Sequence, residues 1–145
     1  MNTEFIKHLL YSSSEDEIIK ALYTLQSEED LYIFITNYNW DNRFEIPSAV
    51  ISNPNCTLSV ALTTFDLADG FSYITSCDMR EELPEWNNFL TSLYERIVKK
   101  DFKDGEIMYS PNLSRVEKFK LSKALKENEL IFIEDIPGKK IDITL

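Results

Sequence analysis

Residues 37–73 read NYNWDNRFEIPSAVISNPNCTLSVALTTFDLADGFSY, and the punctuation of this stretch decides the fold. Asn37, Asn39, Asp41 and Asn42 predict a polar turn, interrupted by the aromatic Tyr38 and Trp40. Trp40 reads as a buried anchor for that turn. Pro47 suits the first position of a short helix through Ser52, where a missing N–H costs nothing. Asn53-Pro54-Asn55 ends it, because the residue before proline is pushed out of the α region. Thr57 predicts the cap of the next helix. Leu58, Ala61, Leu62 and Phe65 then recur at i, i+3, i+4 and i+7, and Gly70 offers a left-handed terminator. One local rule is broken. Asp66 and Asp69 fall in the predicted last turn, where the helix dipole disfavours negative charge. Such a conflict marks either a site or a compensating ion pair.

Toward the N-terminus, Thr3 caps a short helix through Leu10 that buries Phe5, Ile6 and Leu9. Ser12, Ser13 and Ser14 break it, and Ser14 with Glu17 makes a capping box. The helix that follows presents Ile18, Ile19, Leu22 and Leu25. Ser27 caps a third, with Leu31, Phe34, Ile35 and Tyr38 on its buried face. The acidic runs 15–17 and 28–30 fall in first turns, where the dipole favours them.

Toward the C-terminus, Phe71 to Cys77 reads as a connection, and Asp78 or Glu81 and Glu82 lead into the strongest helix. Pro84 starts it. Trp86, Phe89, Leu90, Leu93, Tyr94, Ile97 and Val98 keep the 3.6-residue period, Arg96, Lys99 and Lys100 suit its end, and Gly105 stops it. A lysine-rich helix over about 114–126 has Val116, Phe119, Ala124 and Leu125 as its apolar face. Leu130–Ile133 and Ile141–Leu145 read as strands about Pro137-Gly138, pairing as a small C-terminal β-hairpin. No low-complexity linker divides the chain. The expected architecture is therefore mainly α: packed helical hairpins forming one bundle-like domain over residues 1–145. Its helical core spans about 3–104, and the lysine-rich helix and extended segment span about 105–145.

The 145 residues are 43% apolar and 28% charged, proportions of a globular protein with one sizeable core. No apolar run approaches the roughly 20 residues of a membrane span. The N-terminus lacks the basic-then-apolar layout of a signal peptide, so a cytoplasmic protein with no membrane partner is expected. Cys56 and Cys77 stand outside any C-x-x-C spacing and read as small apolar fillers in a reducing compartment. The net charge of −10 is uneven: residues 1–90 hold 15 acidic against four basic residues, a net −11, and residues 91–145 hold ten against eleven, a net +1. An acidic surface suits a basic protein partner and is a poor match for nucleic acid, whose binding depends on phosphate neutralisation.

The single histidine, His8, lies among apolar and charged neighbours and reads as a surface residue, with no activating motif near either cysteine. One histidine and two cysteines argue against zinc. With three glycines and no G-x-G, nothing cradles a nucleotide phosphate, and no cofactor is expected. The basic residues of 115–126 read as a solvated helix face. The best-placed carboxylates are Asp41, Glu45, Asp66 and Asp69. If the turn at 40–45 folds over the end of the 57–69 helix, these acids meet Arg43. Two readings follow. The acids are catalytic, working as acid and base or through Mg²⁺, or Arg43 bridges Asp41, Glu45 or Asp66 in a structural network beside Trp40. The residues expected to bind a partner are Trp40, Arg43, Asp66 and Asp69.

Asn39-Trp40-Asp41, Phe44-Glu45-Ile46-Pro47, Asn53-Pro54-Asn55-Cys56, Ala61-Leu62, Phe65 and Ala68-Asp69-Gly70 resemble a bacterial family, domain of unknown function 4274. The resemblance covers about residues 31–75, and Arg43 stands where many members carry glycine. It implies a mostly helical bacterial protein whose setting is similar to small accessory or immunity-like proteins near toxin genes. It carries over no catalytic residues. The expected function is a non-enzymatic acidic interaction module, immunity-like, with a basic protein partner. The alternative is a hydrolase-like or nucleic-acid-processing enzyme built on the carboxylate cluster, with or without Mg²⁺.

Overall fold

The computed structural model describes residues 3–41, 43–76 and 81–145. Asn42 of the polar turn, Cys77 and the lead-in at Asp78 lie outside the described residues. In chain order the helices are α1 (Thr3–Ser12), α2 (Glu15–Leu22), α3 (Glu28–Thr36), α4 (Glu45–Ser52), α5 (Leu58–Leu67), α6 (Gly70–Thr75), α7 (Pro84–Val98) and α8 (Arg115–Ala124), followed by a 3-10 helix (Glu127–Phe132). The protein is mainly helical, as its periodicity predicts. Helix α5 is the hub, packing on α3, α4, α6 and α7, while α1 lies on α2 and α3, and α2 on α4. One continuous core runs from Ile6 to Phe132. Among the described residues no helix is long and apolar enough to cross a membrane.

The caps at Ser14 and Ser27 form, Ser14 as a single cap and not as the reciprocal box expected with Glu17. Ser14 Oγ accepts the Glu17 N–H at 3.3 Å, and Ser27 Oγ accepts the Asp30 N–H at 3.1 Å. Thr57 holds the N-cap position of α5 without a side-chain cap bond. Its hydroxyl donates instead to Glu28 Oε1 at 3.3 Å. Glu28 also accepts the backbone N–H groups of Glu106 and Ile107, at 3.1 and 3.2 Å, and so clamps a loop far along the chain. Gly105 leaves room for this clamp: a Cβ there would lie 2.4 Å from the Glu28 carboxylate, which would have to shift. This glycine is not the stop of α7. That helix ends at Val98, and the chain is turned out of it by Lys100, which takes the left-handed conformation (φ 58°). Lys100 N–H donates to the Ile97 carbonyl and Asp101 N–H to the Arg96 carbonyl, a Schellman pair.

The conflict at Asp66 and Asp69 resolves differently for each residue. Helix α5 ends at Leu67, and Asp69, in the left-handed region (φ 65°), caps α6 and accepts the Ser72 hydroxyl at 2.8 Å. Its charge thus stands at a helix start, not at a helix end. Gly70 is not the terminator; it is needed because a Cβ would lie 2.2 Å from the Phe65 ring.

The C-terminal third departs from expectation. There is no β-hairpin, and no strand is formed among the described residues. Leu130–Ile133, a short apolar run of ambiguous period, lies largely in the 3-10 helix. Packing decides it: the Phe132 ring sits 5.3 Å from Tyr94 and 4.5 Å from Phe65 in the core. The tail makes isolated bridges with an earlier segment, Ile107 with Lys139 and Tyr109 with Ile136. Helix α8 buries none of its residues. Val116 and Phe119, expected on its core face, are 62% and 61% exposed.

Candidate functional site

Between α2, α4 and α7 lies an open groove of about 670 Å³. Two short-range patterns build it. On α4, Ser48 and Ser52 are four residues apart and so share a face. On α7, Glu85, Asn88, Ser92 and Arg96 recur every three or four residues, alongside the buried stripe of Phe89, Leu93 and Ile97. Small polar side chains therefore line both walls, and Ile19, Phe44, Ile51 and Phe89 supply its apolar lining.

Each end of the groove is pinned by an arginine. At one end Arg43 pairs with Glu45 at 3.1 Å and with Glu85 at 3.3 Å, beside the stacked rings of Phe44 and Phe89 (5.2 Å). At the other end Arg96 Nη1 donates to the Ile51 carbonyl at 2.7 Å, satisfying a group that the end of α4 leaves open. The same guanidinium pairs with Asp101 at 3.1 Å and lies 4.1 Å above the Phe102 ring. Arg96 is a structural pin, with Nε on Asp101 and Nη1 on the Ile51 carbonyl. Arg43 is exposed, so its carboxylate partners remain open to solvent.

The turn leading to Arg43 is held by Tyr38, whose hydroxyl donates to the Arg43 carbonyl at 2.9 Å. Burial, with smaller contributions from Glu15 and Glu45, pushes the Tyr38 pKa up to about 12. Trp40 packs edge-on against Tyr38 at 5.4 Å and is half-buried. Its indole N–H is buried without a hydrogen-bond partner among the described residues.

Of the carboxylates singled out by sequence, the structure brings only Glu45 to Arg43 and adds Glu85. Asp41 is exposed, its own N–H bonded to Asn39 Oδ1 at 3.0 Å. Asp66 lies elsewhere, accepting the Asn112 N–H at 3.0 Å and lining a separate cavity of about 290 Å³ with Tyr109 and Lys140. Burial raises the Asp66 pKa, the Asn112 bond opposes this, and the nearby Asp69 charge adds to it. Neither Asp66 nor Asp69 lines the groove. Among the described residues no three His, Cys, Asp or Glu side chains are grouped to hold a metal ion.

Cys56 is 3% exposed, and burial pushes its thiol up to about 12, so it is not poised as a nucleophile. Its neighbour in the N-P-N-C string, Asn53, is a structural residue. The Asn53 side-chain amide donates to the carbonyls of Leu22 at 2.6 Å and Leu25 at 2.9 Å, and its oxygen accepts the Asn55 N–H. Sequence reasoning missed Ser48, Ser52, Glu85, Asn88, Ser92 and Arg96 as a set. Their spacing was visible, but a polar stripe on a helix is ordinarily the solvated side.

Fold and site together define a mainly helical protein with a polar-walled, apolar-lined groove across three of its helices. Residues 26–98 match the family described as Domain of unknown function (DUF4274), and the chain belongs to that family. The match starts before α3 and ends with α7, so it takes in every groove residue except Ile19 of α2 and Tyr23 just after it. No curated protein and no solved structure matches the chain.

Proposed function

We propose that the protein is a non-enzymatic interaction module of immunity-like type, and that the groove between α2, α4 and α7 receives a basic segment of a protein partner. The observation that carries this reading is the acidic end of the groove, where Glu45 and Glu85 share one exposed arginine. Two carboxylates against one guanidinium leave a net negative mouth, within a first ninety residues of net charge −11. Such a mouth steers a cationic partner by long-range attraction. The apolar lining then rewards a segment with one hydrophobic side, the usual mode of helix-in-groove recognition. Arg43 acts as a placeholder that a lysine or arginine from the partner relieves.

The enzyme alternative needs Asp41, Glu45, Asp66 and Asp69 in one place. Its support is weaker, because Asp66 faces Asn112 and a different cavity. The test is a titration of isotopically labelled protein with a lysine-rich amphipathic peptide, followed by amide chemical shifts. Shifts centred on residues 45–52 and 85–96, weakened by salt and absent in Glu45→Lys/Glu85→Lys, are expected. Shifts centred on Asp66, or calorimetric Mg²⁺ binding abolished by Asp66→Asn and Asp69→Asn, overturn the reading in favour of the enzyme.

A further inference from the structure

Helix α8 is folded without a core to explain it. Its start is fixed by a reciprocal capping box, Ser114 Oγ accepting the Glu117 N–H and Glu117 Oε1 accepting the Ser114 N–H, both at 3.1 Å. Lys118 ties it to Asp135 at 3.7 Å. Yet it buries no residue, and Val116 and Phe119 stand open to solvent. Lys120 and Lys123 complete that face at helical spacing, and the Lys123 ammonium lies 4.7 Å from the centre of the Phe119 ring. With Arg115, Lys118, Lys120 and Lys123 against Glu117, the helix carries +3 on a chain of net charge −10.

We infer that this face is covered by a second copy of the chain: the Val116–Phe119 side of α8 seats in the α2/α4/α7 groove of its neighbour, with Lys120 and Lys123 meeting Glu45 and Glu85. The inference rests on the groove reading above and names one basic partner for it. Three observations support the match. The charges are complementary, a cationic helix against a mouth holding two carboxylates and one arginine. The lengths are similar: ten helical residues span about 15 Å, and the groove follows α7 over the twelve residues from Glu85 to Arg96, about 18 Å at the same rise. The surfaces agree in kind, two exposed apolar side chains against the lining of Ile19, Phe44, Ile51 and Phe89. A contact of one helical face is small, which places it among weak associations. It is also heterologous, with different surfaces on the two sides, so copies add head to tail or close into a ring. Self-association then competes with any other basic partner for the groove.

Sedimentation velocity of the full chain tests this, from about 1 to 500 μM and at low and high salt, a range suited to a weak and charge-driven contact. A concentration-dependent rise in mass at low salt, lost at high salt, is expected. Lys120→Gln/Lys123→Gln and, separately, Glu45→Gln/Glu85→Gln should each remain monomeric. Circular dichroism confirms that both variants are folded. An equimolar mixture of the two decides the geometry, because one retains an intact groove and the other an intact α8. That mixture should form a 1:1 complex that grows no further. A wild-type chain that stays monomeric throughout overturns the inference, as does self-association indifferent to the groove variant. Binding of α8 to vesicles containing phosphatidylserine with the wild-type chain monomeric in solution also overturns it, by showing a lipid surface as the cover. If the lysine-rich peptide binds the groove while the chain stays monomeric, the proposed function stands and this inference alone fails.

Discussion

The Arg96 guanidinium donates to the Ile51 carbonyl at 2.7 Å, tying the last turn of the chain's longest described helix to the end of α4. It also holds Asp101 and covers Phe102, so one side chain fixes one end of the groove and the turn that follows α7. Arg96→Met should lower stability by about 2–3 kcal/mol, the range for a charge-assisted bond whose acceptor is left open. Arg96→Lys should recover only part of this, because an ammonium cannot serve Ile51 and Asp101 while lying flat on a ring. Chemical denaturation measures both. Full rescue by lysine would refute the pinning role.

Asn53 is the second fastening. It is 3% exposed, and its amide serves two carbonyls near the end of α2 while its oxygen serves Asn55. Asn53→Ala strands the Leu22 carbonyl in a dry site and takes one of two side-chain bonds from the Leu25 carbonyl, which keeps Asn55 Nδ2 at 3.2 Å. It should cost about 2–3 kcal/mol, since each buried polar group left unpaired costs about 1–3 kcal/mol. Asn53→Asp should be at least as damaging, because a carboxylate offers no donor to Leu22 or Leu25 and adds a buried charge. Thermal unfolding that leaves either variant near wild type would contradict this.

The two tryptophans should behave oppositely. Trp86 Nε1 donates to the Ala68 carbonyl at 2.7 Å, whereas the Trp40 N–H is buried and unpartnered among the described residues. Trp86→Phe loses a bond and orphans a carbonyl, a cost of about 1–3 kcal/mol. Trp40→Phe removes a donor that has no acceptor and should cost less than about 1 kcal/mol, by the same accounting of unmade bonds. Equilibrium unfolding of the pair distinguishes them, and a larger loss at Trp40 would count against this assignment.

These contrasts show what periodicity can carry. The faces of α5 and α7 and the caps at Ser14 and Ser27 were legible because they are local: one helix's spacing or one hydroxyl three residues from its partner. Asp69 was misplaced by two residues' difference in where α5 ends, enough to turn an unfavourable helix end into a favourable start. Phe132 was read as part of a strand because nothing local reveals that Tyr94 and Phe65 await it. Glu28 fits the dipole rule for a first turn, which hid its clamp on Glu106 and Ile107. The groove escaped notice for a like reason: its walls come from three helices, and each polar stripe alone is that of a solvated surface.

Asp66 gives a pH signature. Burial raises its pKa in the folded state, so between the unfolded and folded values the native protein binds more protons than the unfolded chain. Stability contributed by this group is therefore greatest at low pH and falls as pH rises through the folded pKa. Asp66→Asn keeps an acceptor for the Asn112 N–H and removes the buried charge, so stability at pH 7 should be level or higher. The difference between variant and wild type should shrink as pH falls below the normal aspartate range. A variant less stable at pH 7, or a gap that widens on acidification, would mean that the carboxylate is favoured where it lies.

Arg43 separates the groove from the rest of the acidic surface. Were it bridging Asp66, as the sequence reading expects of a structural network, its loss would strand a charge and the two residues would be strongly coupled. In the structure its side chain is 71% exposed, and its partners are Glu45 and Glu85. Exposed pairs contribute about 0–1 kcal/mol, so Arg43→Met should cost no more than that. A double-mutant cycle of Arg43→Met with Asp66→Asn should be additive within about 0.5 kcal/mol, as for sites that share no partner. The cycle with Glu85→Gln should show a small coupling that vanishes in high salt. The same substitution should strengthen binding of the lysine-rich peptide, because it leaves both groove carboxylates without their placeholder cation. A coupling above about 1 kcal/mol between Arg43 and Asp66 would contradict the separation of the two sites. Weaker peptide binding by Arg43→Met would instead make Arg43 a contact residue and remove its role as a placeholder.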